Sequence, residues 1–331
     1  IKEGLTVDAD NVVAITNGGG IRAAIKPGDV TKKDINTVLP FGNTVAVIYV
    51  TGAELLEALE ASTYSLPVGG FPQVAGINFT LSTAVAYDAN AETYPASTYY
   101  GPKSINRVVI NSINGKEFKA DDTYAVVTNN FVAGGGDTYY AFAAASAQFD
   151  TGIPLDEAVM EYVTTELKGV IGAQYAAPQG RILMNPFKDV KVSSWFGKYV
   201  IDLYNDGIIN GTSATTYTPD AKLSWAAALK LLLVSHGDLK SEDATGADWS
   251  KNTIAKAAEL GLAAADLDGA KDISRLEFCQ VAAKLNKLAE SKTESKFTDC
   301  TDGYVMALVD AKVINGMTEL SLIHISEPTR L

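Results

Sequence analysis

The apolar positions of this chain change their period once. In the first half, short β-branched runs alternate with helix-period segments, whereas beyond Phe187 only the helix period continues. Val12-Val13-Ala14-Ile15 reads as a buried strand from which Asn17 is the first residue able to leave, and "TVAVIYV" from Thr44 to Val50 reads as another. Thr51 and Glu54 have capping-box spacing and open the helix "AELLEALEAS". "RVVINSINGKEF" predicts a hairpin, because Asn114-Gly115 supplies the two positive-φ residues of a type I′ turn. "TYAVVTNNF" predicts a strand ending at Phe131, a helix-like segment follows "AGGGD", and "LDEAVMEYVTTELKGVI" from Leu155 carries the stripe of an amphipathic helix. Together these predict an α+β layered domain that closes near "GRILMN".

The helical remainder repeats itself. "FKDVKVSSWFGKYVIDLYNDGIINGTSATTYTPDAKLSWAAALKLL" has an echo in "ADWSKNTIAKAAELGLAAADLDGAKDISRLEFCQVAAKL", and a third copy begins at "FTDCTDGYVMALVDAKVINGM". A period near fifty residues implies one supersecondary unit used again: amphipathic helix, Gly-containing turn, second helix. "LSLIHISEPTR", Leu320 to Arg330, breaks this style. It resembles the translated end of a transposon adapter used in preparing sequencing libraries, so 320–331 is expected to be adapter-derived and the chain an internal fragment of a longer reading frame.

Composition narrows the partners. With 331 residues, 47% of them hydrophobic and 20% charged, the chain has room for two or three domains with real cores. Lys and Arg number 27 against 39 Asp and Glu, and both halves are acidic: 11 against 19 through Asn185, 16 against 20 beyond it. A nucleic-acid polymer or an anionic membrane is therefore a poor partner, although a small anion in a local pocket is not excluded. No apolar run is long enough to span a bilayer. Cys279 and Cys300 have no zinc-ligand spacing, and Cys279 in "RLEFCQVAAKL" is expected to be a buried, inert thiol. His236 and His324 have no partner residues at ligand spacing, so no metal centre is expected in the chain.

The candidate chemistry starts at "NGGGIRAAIKPGD", Asn17 to Asp29. Three glycines at a strand's exit permit positive φ, close approach to a ligand and an anion-binding run of amides, with Arg22 at its rim. No Gly-Lys-Ser/Thr follows them, and their spacing is not that of a dinucleotide fingerprint. Taken one at a time, Phe41 and Phe131 suit a core as well as a ligand platform, and Asp137 suits the cap of a following helix.

Three separated elements in order, "ITNGGGIR" (Ile15 to Arg22), "LPFGN" (Leu39 to Asn43) and "NFVAGGGDTYY" (Asn130 to Tyr140), resemble the C-terminal domain of the 5′-nucleotidase and UDP-sugar hydrolase family. That resemblance implies nucleoside recognition, with Phe41 and Phe131 at the two base-stacking positions and Asp137 at the acid that accepts ribose hydroxyls. It also implies Asn17, Gly19, Arg22 and Gly135 as further substrate-binding positions. The family's hydrolysis uses two divalent metal ions in a separate N-terminal domain, which implies no catalytic residue, metal or cofactor in this fragment. The repeats resemble the S-layer homology module through Phe187-Asp189-Val190, Trp195, "DGIINGT", Pro219-Asp220 and "ISRLEF". In that family a Thr-Arg-Ala-Glu element places an arginine in the groove that holds cell-wall polysaccharide. Ser274-Arg275-Leu276-Glu277 matches it, making Arg275 the wall-polymer candidate, whereas Ser224-Trp225-Ala226 lacks the arginine.

The resulting expectation is an α+β layered domain of the 5′-nucleotidase C-terminal type at 1–185, followed by an all-α S-layer homology region with repeats at 186–236, 237–292 and a partial 293–319. It implies the substrate-recognition part of a secreted, wall-anchored bacterial nucleotide hydrolase that takes a nucleotide or nucleoside. The alternatives are a non-catalytic wall-associated scaffold, or a sister enzyme acting on cyclic nucleotides or nucleotide sugars.

Overall fold

The computed structural model describes residues 6–86, 105–315 and 320–322. Most of the adapter-like tail, His324 included, and the end of the third repeat at 316–319 lie outside the described residues. The chain divides into two compact units, Ile1–Ile201 and Asp202–Leu331.

In the first unit the elements are β1 (Val12–Asn17), α1 (Lys32–Val38), β2 (Thr44–Thr51), α2 (Gly52–Ser62), β3 (Pro72–Ala75), β4 (Ile77–Ser82), β5 (Val108–Ile113), β6 (Thr123–Asn129), α3 (Asn130–Ala133), β7 (Ala147–Pro154), α4 (Leu155–Thr165) and β8 (Ile182–Asn185). They form two mixed sheets, one ordered β3-β1-β6-β2-β7 and the other β5-β4-β8. β1 runs parallel to β6, and β2 runs antiparallel to β6 with Val45 opposite Asn129 and Thr51 opposite Thr123. Thr51 then opens α2 through the expected capping box with Glu54. Leu55 and Leu59 of α2 pack with Val13, Ile15, Ile48, Phe79, Tyr124 and Phe142 into one core. Each such side chain contributes about 1.5–3 kcal/mol on burial.

Several sequence expectations change. β1 continues through Asn17, which pairs with Pro72, so Asn17 ends the strand rather than leaving it. β6 stops at Asn129, and Phe131 lies in α3, because the Asn129 side chain accepts the Val132 N–H and starts a helical turn there. Asn114 and Gly115 do adopt positive φ (47° and 79°), but past the single bridge of Ile113 to Lys116 no second hairpin strand follows. Phe118 instead stacks on Tyr124 with ring centroids 6.0 Å apart and draws the chain into the core. The segment after Asp137 is a short 3-10 turn, Tyr140–Ala144, and the helix from Leu155 ends at Thr165, shortly before Lys168 and Gly169 take positive φ.

In the second unit the helices are α6 (Trp225–His236), α7 (Trp249–Glu259), α8 (Arg275–Leu285) and α9 (Gly303–Asp310), preceded by α5 (Gly197–Asn205). Leu229 and Leu233 of α6 meet Ile254 and Ala257 of α7 and Val281 and Leu285 of α8. A second cluster joins Cys279 and Ala283 to Phe297, Cys300, Val305 and Leu308. Both cysteines are buried and free, and burial pushes both thiols above the usual range, which suits packing rather than reactivity. The segments leading into α6 and α8 pair through a Ser224–Asp272 bridge, with the Trp225 N–H donating to Lys271 O at 2.8 Å. Gly207 and Gly261, at the ends of α5 and α7, take φ of 72° and 69°, the left-handed geometry of helix termination.

One buried carboxylate joins the two sheets of the first unit. Glu60, on α2 and only 3% exposed, accepts the N–H groups of Ile105, Arg107 and Val108 at 3.1–3.2 Å where β5 begins. Burial pushes its pKa up, and the three amides and the Arg107 charge draw it partly back. The Arg107 guanidinium is itself tied to Val85 O and Tyr64 O. Glu60→Ala leaves three inward-facing donors without acceptors and is expected to lower stability by about 2–5 kcal/mol, read as a fall in the urea midpoint. Glu60→Gln, whose amide turns a donor toward those same donors, is expected to recover little of it.

Candidate functional site

The glycine triplet follows β1 as a 3-10 turn, Gly18–Gly20, and none of the three takes positive φ. Gly18 N–H donates to Phe71 O at 2.8 Å and Gly19 N–H to Gly69 O at 2.7 Å, so these amides close a turn and make no anion concavity. The expectation of an anion-binding run is overturned. Glycine is needed here for close approach to the chain itself. A Cβ at Gly19 would lie 3.0 Å from Gly69 O, and one at Gly20 would lie 3.1 Å from the Asn17 carboxamide oxygen.

That clearance lets a polar chain form beneath the turn. Asn129 at the end of β6 accepts the Val132 N–H on Oδ1 at 2.9 Å and donates through Nδ2 to Thr16 Oγ1 at 3.2 Å and Asn17 Oδ1 at 3.1 Å. Asn17 donates through its own Nδ2 to Asp137 Oδ2 at 2.7 Å. Asn17 and Asn129 are both buried, and Asp137 is held in the left-handed region at φ 52° by the turn after Gly135. Asp137 therefore caps no helix: its carboxylate answers Asn17, 120 residues away.

Above this buried polar layer stand two exposed rings. Phe41 is 61% and Phe131 45% exposed. Both extend from the same end of the β2/β6 ladder, where the Thr44 N–H donates to Asn130 Oδ1 at 3.3 Å. Two large exposed aromatics at one ladder end are an unusual use of apolar surface and mark a binding rim. The Arg22 guanidinium lies 5.9 Å from the centre of the Phe41 ring and donates to Gly19 O at 3.1 Å. Thr16, Gly20, Leu39, Phe41, Asn43 and Asn129 line a recess with about 260 Å³ of empty volume. The structure thus brings Asn17 together with Asp137, and Arg22 with both Gly19 and Phe41, while Gly135 shapes the turn before Asp137. Phe131, Arg22 and Asp137 are not among the recess walls. Tyr139 is a core residue, its hydroxyl donating to Gly70 O at 2.7 Å.

Residues 1–144 match the family model of the 5′-nucleotidase C-terminal domain, and residues 186–228 match that of the S-layer homology domain. The chain carries both domains. The trifunctional nucleotide phosphoesterase protein YfkN of Bacillus subtilis is 43% identical over 144 residues, covering 42% of this chain and 9% of that protein. The 5′-nucleotidase of Vibrio cholerae is 30% identical over 171 residues, covering 51% of this chain and 27% of its own. The cell wall protein Lmo0130 of Listeria monocytogenes is 31% identical over 144 residues, covering 42% of this chain and 16% of that protein. A solved 5′-nucleotidase precursor from Thermus thermophilus aligns at 36% identity with a TM-score of 0.42, over 52% of this chain and 31% of that one. The chain spans only 9% to 27% of the length of these curated relatives.

Two residues of the 5′-nucleotidase C-terminal domain escaped residue-level reading. Asn43 closes "LPFGN" and lines the recess, and Asn129 precedes the quoted "NFVAGGGDTYY" by one position. A polar residue as the last of a β-branched run was the available signal. In the second domain Arg275 heads α8, half-buried, with its Nε donating to Leu322 O at 3.1 Å. Among the described residues no group of three or more His, Cys, Asp and Glu is placed to hold a metal ion, and no helix is long and apolar enough to cross a membrane.

The second glycine run positions Phe131. A Cβ on Gly136 would fall 2.6 Å from the Phe131 ring and from its carbonyl oxygen, whereas one on Gly134 meets nothing closer than 3.4 Å. Gly136→Ala is expected to displace the ring and cost about 1–3 kcal/mol in urea unfolding, and Gly134→Ala to stay within about 0.5 kcal/mol of the unaltered chain.

Proposed function

We propose that the first domain recognises the nucleoside half of a nucleotide substrate and that the S-layer homology region, read as repeats at 186–236, 237–292 and 293–319, holds the protein on cell-wall polysaccharide outside a bacterial cell. The observation that carries the first part is the pair of exposed phenylalanines standing over the buried Asn17–Asp137 contact. A nucleobase offers two π faces, and each stack on an aromatic ring contributes about 1–3 kcal/mol. Asp137 is the acceptor for ribose hydroxyls in this reading. Arg22, with five donors in a planar fork, is the contact for polar oxygens. Its position over Phe41 lets one guanidinium support the ring and reach a ligand beside it.

Hydrolysis belongs to the longer protein in this reading. The two divalent metal ions of a nucleotide phosphoesterase would supply a bound hydroxide and stabilise phosphate charge. The described residues present no donor set for them, so no step is assigned to this chain. The likeness to nucleotide phosphoesterases supports the hydrolase class. The likeness to a Listeria cell wall protein favours, as a second reading, a wall-held nucleoside-binding protein without catalysis.

Adenosine titrated into the chain should bind weakly and through both rings. Phe131→Ala and Phe41→Ala are each expected to weaken it by about tenfold or more in calorimetry, the value of one stack. Unchanged affinity in both variants overturns the stacking assignment.

The wall-binding part rests on Arg275, whose guanidinium can pair bidentately with a carboxylate of the polymer. The chain is expected to be retained on native bacterial sacculi and lost from sacculi stripped of secondary polymer. Arg275→Ala should abolish most retention while the helical circular dichroism stays unchanged. Equal retention of variant and parent removes Arg275 from the mechanism.

A further inference from the structure

We propose that Asn129 is a positioning residue which fixes the polarity of the ribose contact and so makes the site selective for ribonucleosides over 2′-deoxyribonucleosides. This inference rests on the nucleoside reading above. Its basis is the direction of three hydrogen bonds. The Val132 backbone N–H has one polarity and cannot reverse, so the Asn129 atom that accepts it at 2.9 Å is oxygen. The Asn129 Nδ2 group is then turned toward the β1 end, where it donates to Thr16 Oγ1 and Asn17 Oδ1. With its oxygen occupied in this way, Asn17 presents Nδ2 and only Nδ2 to Asp137, at 2.7 Å on Oδ2. Asn129 is 1% exposed and all three of its side-chain hydrogen-bonding functions are engaged, so water does not compete for them.

The consequence reaches the ligand through Asp137. One carboxylate oxygen is anchored by Asn17, which sets the rotation of the group and the direction in which it accepts a sugar hydroxyl. The anchored turn, with Asp137 at φ 52°, is not a conformation the residue would hold on its own. Asn129 also starts α3, the turn that carries Phe131. One buried amide thus ties the ribose-facing acid to the base-facing ring.

The two roles of Asn129 separate in Asn129→Asp. Aspartate is as good a helix N-cap as asparagine, so the start of α3 is kept. It has no donors, however, and the Asn17 amide must turn its Nδ2 toward the new carboxylate and its oxygen toward Asp137. Asn129→Ser, also a good cap, is the second variant: it is too short to reach Asn17 and carries no added charge. Adenosine and 2′-deoxyadenosine are titrated into the full chain by calorimetry, with circular dichroism reporting the fold. The unaltered chain should prefer adenosine by about tenfold or more, the value of a hydrogen bond to a charged group. Both variants should lose that preference, the two affinities converging, while the remaining affinity still falls on adding Phe131→Ala.

If Asn129 only caps α3, both variants keep the preference, and the proposal fails. If the unaltered chain binds both nucleosides equally and through Phe131, the ribose contact is wrong while the stacking reading stands. If it binds neither, the nucleoside reading fails and this inference with it. Should Asn129→Asp not fold, Asn129→Ser decides alone.

Discussion

The antiparallel register of β2 on β6 is the constraint on which the candidate site depends. With Val45 opposite Asn129, the loop entering β2 and the turn leaving β6 emerge side by side, although 86 residues separate Thr44 from the Asn130 side chain it contacts. Phe41 and Phe131 share a rim for this reason alone. A slip of one residue would send every side chain of β2 to the other face of the sheet, exchanging buried Ala46, Ile48 and Val50 for half-exposed neighbours. The core therefore holds the register, and the register holds the rim.

Polar satisfaction at the ends of β1 and β6 supplies the second constraint. Strands that stop inside a domain leave groups that water cannot reach, and here two asparagines, Asn17 and Asn129, take the positions that a continuing strand would fill. Their amides can both accept and donate, which a carboxylate or an aliphatic side chain cannot do. The glycines follow from the same requirement. Gly18 and Gly19 bring the turn against the backbone of 69–71, and Gly20 leaves the space that the Asn17 carboxamide occupies. The buried layer is rigid because every hydrogen bond in it has an assigned direction, while the rings above it stand in solvent where a ligand can displace water.

Much of the first unit was legible because its signals are local. The capping box of Thr51 with Glu54 and the positive φ of Asn114 and Gly115 need only neighbours to be recognised. What was not legible depends on distant partners. The fate of the strand after Lys116 turns on Phe118 finding Tyr124, and the end of β6 turns on Asn129 preferring the Val132 N–H to another ladder bond. The glycine triplet shows the limit most clearly. Its spacing allowed an anion concavity, and only the carbonyls of Gly69 and Phe71, contributed by a loop 50 residues away, show that two of its amides are already engaged. The motif residues were readable as a set; the direction of each hydrogen bond among them was not.

The helical region distributes its stability differently. Ser224 caps α6 and Ser274 caps α8, and the segments before them pair with each other through Ser224 and Asp272, so each unit is stabilised by its neighbour. Such an array can lose the chemistry of one copy without losing the fold, because the cap and the apolar face are separate from the residue that follows the cap. Trp225 after Ser224 and Arg275 after Ser274 make that separation concrete: the same start of helix presents an indole in one copy and a guanidinium in the next. Repetition of structure thus imposes no repetition of binding, and the ligand chemistry of each groove has to be argued from its own residues.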